Sequence, residues 1–160
     1  MLPVTRWFIK AGMIWLALGL MLLLADTIPG SPFHISLLPV YWHMIAVGWI
    51  TQLIMGVSIW MFPRKRRDRK KAETPLQWAI FWSLNAGLVL RFFSEPLLDP
   101  GAVEAGVAGG MEMVTNLEQG IGLVSWLVLT SIGLQLTAVL LYLAEIWPRV
   151  QPRRKRKGSN

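Results

Sequence analysis

The 160-residue chain contains no cysteine and few charged residues, which make up 16% of it. The absence of cysteine excludes disulfides, cysteine-ligated zinc, iron–sulfur clusters and thiol catalysis. Soluble domains are about 25% charged, so this is not the composition of a soluble protein. Disordered chains have low hydrophobicity, and they are excluded because 54% of the residues here are hydrophobic. The chain consists instead of long apolar runs between short charged segments.

Four apolar runs come close to the roughly 20 residues that a transmembrane helix needs. They cover residues 7–25, 40–62, 76–93 and 121–146. They predict an all-α fold, an integral membrane antiparallel four-helix bundle forming one domain over 1–160. A basic tail follows at 149–160. A signal peptide in the first run is the alternative, but the run is long for one and no A-x-A-like cleavage site follows it.

The basic residues are concentrated in two blocks. Of the 16 Lys and Arg residues, seven lie at 64–71 and six at 149–157. The segments 26–39 and 94–120 contain no Lys or Arg, and the second of them carries five acidic residues. Two apolar runs separate the basic blocks, so both blocks lie on one side of the membrane. The positive-inside rule makes that side cytoplasmic, together with both termini. We therefore expect a multi-pass protein of the cell inner (plasma) membrane.

Both basic blocks adjoin predicted membrane helices. Nucleic-acid binding is one interpretation of such blocks, but no aromatic or polar readout module accompanies the charge. We expect no nucleic-acid partner. The blocks instead fix the topology and attract anionic head groups, or dock an acidic partner. The expected partners are the lipid bilayer and either other membrane subunits or copies of the same chain, because small and polar residues in the runs suit contacts with further helices.

Uncharged polar residues and glycines also lie within the apolar runs. The polar set predicts hydrogen bonds between helices and comprises Gln52, Ser58, Asn85, Ser125, Thr130, Ser131, Gln135 and Thr137. Gly48, Gly56 and Gly87 would admit a neighbouring helix or a flat ligand at short distance. The glycine-rich segment 100–120 predicts an outer loop, with or without a short helix on the membrane surface.

Two ionisable residues stand at matching depth near the outer membrane face. His43 lies about one turn inside the second run, and Arg91 within a turn of the end of the third. An imidazole can ligate haem iron, and a guanidinium can hold haem propionates. Trp42 and Trp49 would then pack against the macrocycle. The alternative is an ordinary interfacial histidine, with Arg91 paired to Glu95 at i+4.

The segment 39–64, PVYWHMIAVGWITQLIMGVSIWMFPR, carries a recognisable pattern. It resembles the second transmembrane helix of relatives of haem-copper oxidase subunit I, on the nitric oxide reductase side of that superfamily. It is most similar to the small four-span proteins of that group. The shared features are His43, Gly48-Trp49, Gly56-Val57 and Phe62-Pro63-Arg64. The next run is similar as well, in Asn85, Gly87, Arg91 and Glu95-Pro96, so that the resemblance covers residues 39–96.

The resemblance implies that His43 is an axial ligand of a b-type haem. The family often has a second histidine in an H-x-H pattern, where this chain has Tyr41. Its one other histidine is His34, a further candidate for the cofactor site. The second ligand otherwise remains open between Met44, Met113, His43 of another protomer, or none. Oxygen or nitric oxide reduction needs histidines of later helices that this chain lacks.

Three functions follow from these features. The first is a haem-binding membrane protein in electron transfer or gas sensing, within a larger complex. The second is a cofactor-free accessory subunit of a respiratory or photosynthetic complex. A transporter is disfavoured, because no run has a charge at its midplane and no broken-helix repeat is present. Catalysis by the chain itself is not expected, because no nucleophile–base pair or phosphate loop is present.

Overall fold

The computed structural model describes residues 2–28, 38–62, 74–94 and 111–150, with side chains in the last segment from 122 onward. These residues form four helices and no strand. We number them α1 (Pro3–Thr27), α2 (Leu38–Met61), α3 (Pro75–Ser94) and α4 (Met111–Val150). The predicted all-helical architecture is therefore confirmed for the described part of the chain.

Three of the helices are long and apolar enough to cross a membrane. They are α1, α2 and the Gly122–Val150 part of α4. With 20 residues, α3 is about 30 Å long, which equals the thickness of a bilayer core. It is less apolar than the others because Gln77, Ser83 and Asn85 lie within it.

Glycines allow α1 and α2 to pack closely in antiparallel order. Trp15 lies over Gly48, and a Cβ added there would come within 2.7 Å of the Trp15 Cβ. One end of the contact pairs Phe8 with Gly56, and the other brings Gly19 to Tyr41. The predicted close approach at Gly48 and Gly56 is therefore made by side chains of α1.

Hydrogen bonds and one glycine join α3 to α4, which is also antiparallel to it. The Ser83 hydroxyl donates to the Leu134 carbonyl at 2.8 Å, and the Ser131 hydroxyl donates to the Gly87 carbonyl at 2.8 Å. A Cβ at Gly87 would lie 3.0 Å from the Ser131 carbonyl oxygen. The absence of a side chain at Gly87 is therefore what lets the two backbones meet.

The two helix pairs meet around α1 and α3, which run in parallel. Phe8 and Phe81 form an edge-to-face pair with centroids 5.2 Å apart. We call the end of the bundle where α1 and α3 begin and α2 and α4 finish the basic end, because the basic blocks of the sequence adjoin it. The other end is the outer end. Fully buried apolar side chains from all four helices form the core, among them Phe8, Met44, Leu84 and Ala138.

The exposed side of α3 is apolar along its whole length. Its exposed positions recur every three or four residues, and they are Pro75, Ala79, Trp82, Ala86, Val89 and Phe93. The polar residues Gln77, Ser83 and Asn85 bond to neighbouring helices instead. A stripe of this kind is what a lipid-facing helix surface requires.

The helix bounds exceed the predicted runs most clearly in α4. This helix has 40 residues and begins at Met111, inside the segment whose glycines predict an outer loop. The reason lies in its first turns, where Met, Glu, Leu and Gln are strong helix formers. The other three helices extend one to four residues beyond the predicted bounds or stop one residue short of them.

Candidate functional site

The imidazole of His43 is oriented by a hydrogen bond within α2. Its Nδ1 lies 2.7 Å from the Pro39 carbonyl oxygen. A carbonyl can only accept, so Nδ1 carries the proton, and in the neutral ring Nε2 is then the unprotonated nitrogen. Histidines that ligate metals almost always donate the N–H of the other ring nitrogen to a carbonyl, a carboxylate or a water in this way.

His43 is partly buried in the first turns of α2. The residues about one π-helical turn further along, Val47 and Gly48, are partly buried and buried, since a π-helix has more residues per turn than an α-helix. Trp42 is 57% exposed and its ring contacts Tyr41. Trp49 is partly buried.

A π-helical segment begins immediately after His43. It covers Met44–Thr51, and the Thr51 hydroxyl donates to the Ala46 carbonyl at 2.9 Å. Segments of this type are rare and occur frequently at functional sites. The segment contains Gly48 and Trp49, two residues of the sequence pattern that the family resemblance rests on.

Arg91 lies in the last turn of α3 and is partly buried. The first six residues of α2, Leu38–His43, contact α3. The helix segments that carry His43 and Arg91 therefore meet at the outer end. Two other expectations, the pairing of Arg91 with Glu95 and the approach of His34, lie outside the described residues.

The side chains at the outer end meet some of the requirements of a haem site. His43 has the tautomer and the orienting bond that an axial ligand needs. The described residues contain no group of three or more His, Cys, Asp or Glu that could hold a bare metal ion, but a haem needs no such group. Gly48 does not provide a cradle for a flat ligand, because Trp15 fills it. A macrocycle on His43 would therefore need space other than that at Gly48.

A polar cluster joins three helices near their midpoints. Asn85 Oδ1 accepts from Trp15 Nε1 at 2.8 Å and from Gln52 Nε2 at 3.4 Å. Asn85 Nδ2 donates to the Phe81 carbonyl at 2.8 Å. Gln52 is fully buried, and its Oε1 has no hydrogen-bond partner. The expected interhelical role of Asn85 and Gln52 is confirmed; Trp15, their third partner, was not predicted.

A second polar group lies at the basic end, between α3 and α4. Gln77 Nε2 donates to Glu145 Oε1 at 3.0 Å, and Glu145 also pairs with Arg149. Gln77 is fully buried and the two charged side chains nearly so. A buried charge pair in a membrane helix must be compensated locally, and here each charge is the partner of the other. The sequence signal was the i, i+4 spacing of Glu145 and Arg149.

The remaining polar residues of the helices divide into two groups. The Ser58 hydroxyl lies 2.7 Å from the Tyr142 hydroxyl, which links α2 to α4. Thr130 and Thr137 instead donate to carbonyls four residues earlier in α4. Gln135 donates to Ser131 of the same helix. The prediction of interhelical bonds is therefore wrong for both threonines and for Gln135. A hydroxyl in a helix can bond its own i−4 carbonyl, and the Gln135 amide reaches the Ser131 hydroxyl one turn earlier.

Comparisons of the chain with protein-family models, curated proteins and solved structures found no match.

Proposed function

We propose that the chain is a small integral membrane haem-binding subunit, related to haem-copper oxidase subunit I, that acts in electron transfer or gas sensing within a larger complex. The observation that carries the proposal is the Nδ1–Pro39 bond of His43. It sets the ring tautomer that an axial ligand needs, at the position that the sequence resemblance assigns to the ligand.

The cofactor would be a b-type haem at the outer end of the bundle. It would supply one-electron redox chemistry or a site for a small gas. His43 would bind through Nε2, with Pro39 fixing the ring plane. Arg91 at the end of α3 would hold the propionates through charge-assisted hydrogen bonds. Trp42 and Trp49 would flank the macrocycle on the α2 side.

The exposed side chains of α2 support the assignment to a larger complex. Among the described residues of its outer half, Trp42, Ala46 and Ile50 are exposed, and a surface of this kind suits contact with a further membrane helix. A second axial ligand, and further walls of the site, would come from another subunit, from a second copy, or from His34. Electron transfer requires a donor and an acceptor in any case.

We further propose that all four helices cross the cell inner membrane, with the basic end cytoplasmic. The apolar stripe of α3 supports four crossings in place of three. Of the 16 Lys and Arg residues, 13 lie in two blocks that adjoin the basic end, which supports the orientation. His43 and Arg91 would then lie near the outer surface of the membrane.

The absorption spectrum of the protein purified with its native partners tests the haem proposal. We expect a Soret band that His43→Ala abolishes and that added imidazole restores in this variant. Arg91→Ala should keep the band but weaken haem retention or shift the haem potential. Thr137→Ala is the matched control, because this exposed residue bonds only within α4 in the described structure. A wild-type complex without Soret absorption would contradict the proposal.

A cofactor-free accessory subunit is the second candidate. It is favoured by the packing of Gly48, where the side chain of Trp15 occupies the space that a flat ligand could have used. The helices would then serve as a packing module, and His43 would be an interfacial histidine. The same spectrum separates the two candidates.

A further inference from the structure

An open groove of about 390 Å³ runs between α1 and α3 at the basic end. Ligand sites in proteins have volumes of about 300–1,000 Å³. Its eight lining residues are Trp7, Lys10, Ala11, Ile14, Trp78, Phe81, Trp82 and Asn85. Both helices contribute positions i, i+3, i+4 and i+7, so each wall is one continuous helix face. The small side chain of Ala11 leaves this space between the larger side chains of α1 and α3.

The groove lies along the helix axes, from the basic end toward the middle of the bundle. Trp7 and Trp78 lie near the helix starts, and Ile14 and Asn85 lie seven residues further along each helix. Seven residues correspond to about 10 Å, most of the roughly 15 Å that one leaflet contributes to the bilayer core. Its length and direction therefore match an acyl chain of that leaflet.

Lys10 provides the single charge among the lining residues. Its ammonium group lies 5.8 Å from the centre of the Trp7 ring, so the side chain reaches back toward the start of α1. Long basic side chains near helix ends extend toward the interface in this way. The groove thus combines an apolar interior with one cation at its interfacial end.

At the inner end of the groove, both the oxygen and the nitrogen of the Asn85 amide already take part in hydrogen bonds. The Asn85 oxygen accepts from Trp15 and Gln52, and its nitrogen donates to Phe81. A ligand with polar groups at both ends would gain little at this depth. An aliphatic chain fits the inner end, and an anionic group fits the end at Lys10.

From this charge complementarity, we propose that the α1–α3 groove is a binding site for an anionic glycerophospholipid of the leaflet at the basic end. One acyl chain lies between Trp78, Trp82 and Ile14, and the phosphate pairs with Lys10. The site is separate from the proposed haem site and does not depend on it. The binding of one lipid in this groove differs from the general attraction that the basic blocks exert on anionic head groups.

Native mass spectrometry of the full chain, delipidated and titrated with phosphatidylglycerol or phosphatidylcholine, tests this site. We expect one retained phosphatidylglycerol per chain. Lys10→Gln should weaken its binding about fivefold, the factor for ~1 kcal/mol per basic residue near an anionic surface. Arg6→Gln is the matched control, because it removes one charge from an exposed position of the same helix end outside the groove. It should retain the lipid.

A second pair of variants tests the acyl-chain position. Ala11→Phe should fill the groove and displace the lipid, whereas Ala17→Phe, at an exposed position of α1 outside it, should not. Three outcomes would overturn the proposal. The first is an equal loss of phosphatidylglycerol from Lys10→Gln and Arg6→Gln. The second is retention of phosphatidylcholine equal to that of phosphatidylglycerol, and the third is a change in oligomer mass without loss of lipid in Ala11→Phe. The last would assign the groove to a partner helix.

Discussion

Trp15 connects two contacts that organise the centre of the bundle. Its Cβ and Cγ cover Gly48 of α2, and its indole N–H donates to Asn85 of α3. The indole thus combines a large apolar surface with one satisfied donor, as buried tryptophans generally do. A single side chain of α1 therefore fixes the positions of two other helices.

Gly48→Ala should destabilise the protein by about 1–3 kcal/mol, the usual cost of overpacking a core. The added methyl would lie 2.7 Å from the Trp15 Cβ, which is attached to the backbone and cannot rotate away. The helices would have to separate, and the Trp15–Asn85 bond would weaken. The midpoint of thermal unfolding in detergent measures the effect.

Gly133→Ala is the control for this substitution. Apart from the adjoining backbone of its own helix, no atom lies within 4 Å of a Cβ added at Gly133, and alanine is a better helix former than glycine by up to about 1 kcal/mol. The control should be neutral or stabilising. Equal stability of the two variants would contradict the packing of α1 on α2.

At the level of whole helices, the sequence predicted the existence of each helix better than the local backbone geometry within it. The four apolar runs predicted four helices because backbone groups in a membrane leave few alternatives to a helix. The π-helical segment after His43 was not predicted, because its apolar residues have the same composition as an ordinary helix. The start of α4 at Met111 was missed for a related reason, since glycines between helix-forming residues also occur in loops.

The candidate site was predictable to a smaller degree. A pattern in the sequence can single out His43, but the bond to Pro39 and the partial burial of the imidazole depend on the fold. Lys10 is recognisable from its position in an apolar run, whereas the groove beside it depends on how α1 and α3 pack. The role of Trp15 had no signal of its own among the nine tryptophans of the chain.

Two amide side chains of the three-helix polar cluster, Asn85 and Gln52, should differ in how their replacement by apolar residues affects stability. Asn85→Leu removes the acceptor of two hydrogen bonds, one from α1 and one from α2. It should lower the free energy of unfolding by about 1–2 kcal/mol, because each hydrogen bond between membrane helices contributes about 0.6 kcal/mol on average. Gln52→Met should be nearly neutral or stabilising. The buried Oε1 of Gln52 has no partner, and an apolar side chain of similar shape removes the cost of burying it.

Unfolding of both variants in the same detergent measures the difference. A loss in Gln52→Met as large as in Asn85→Leu would show that Gln52 Oε1 has a partner, such as a buried water. Near-wild-type stability of Asn85→Leu would contradict the cluster itself.

At the level of the whole molecule, the two proposed sites lie at opposite ends of the bundle. His43 and Arg91 are at the outer end, and the groove of Lys10 is at the basic end. Between them lies the cluster of Trp15, Gln52 and Asn85. If the basic end is cytoplasmic, the proposed haem site would face the outer surface and the proposed lipid site would face the inner leaflet.

Whether α3 crosses the membrane determines on which side of the membrane the segments after it lie. Three crossings would put the start of α1 and the end of α4 on opposite sides, and four would put them on the same side. The apolar stripe of α3 and the bond from Gln77 at its start to Glu145 near the end of α4 favour four.

The absence of native cysteine allows a direct test with single cysteines at exposed Pro3, Asp26 and Val150. In inside-out vesicles, an impermeant maleimide should label Pro3→Cys and Val150→Cys, and in intact cells it should label Asp26→Cys. Labelling of Val150→Cys together with Asp26→Cys would mean that α3 does not cross, and that the proposed topology is wrong.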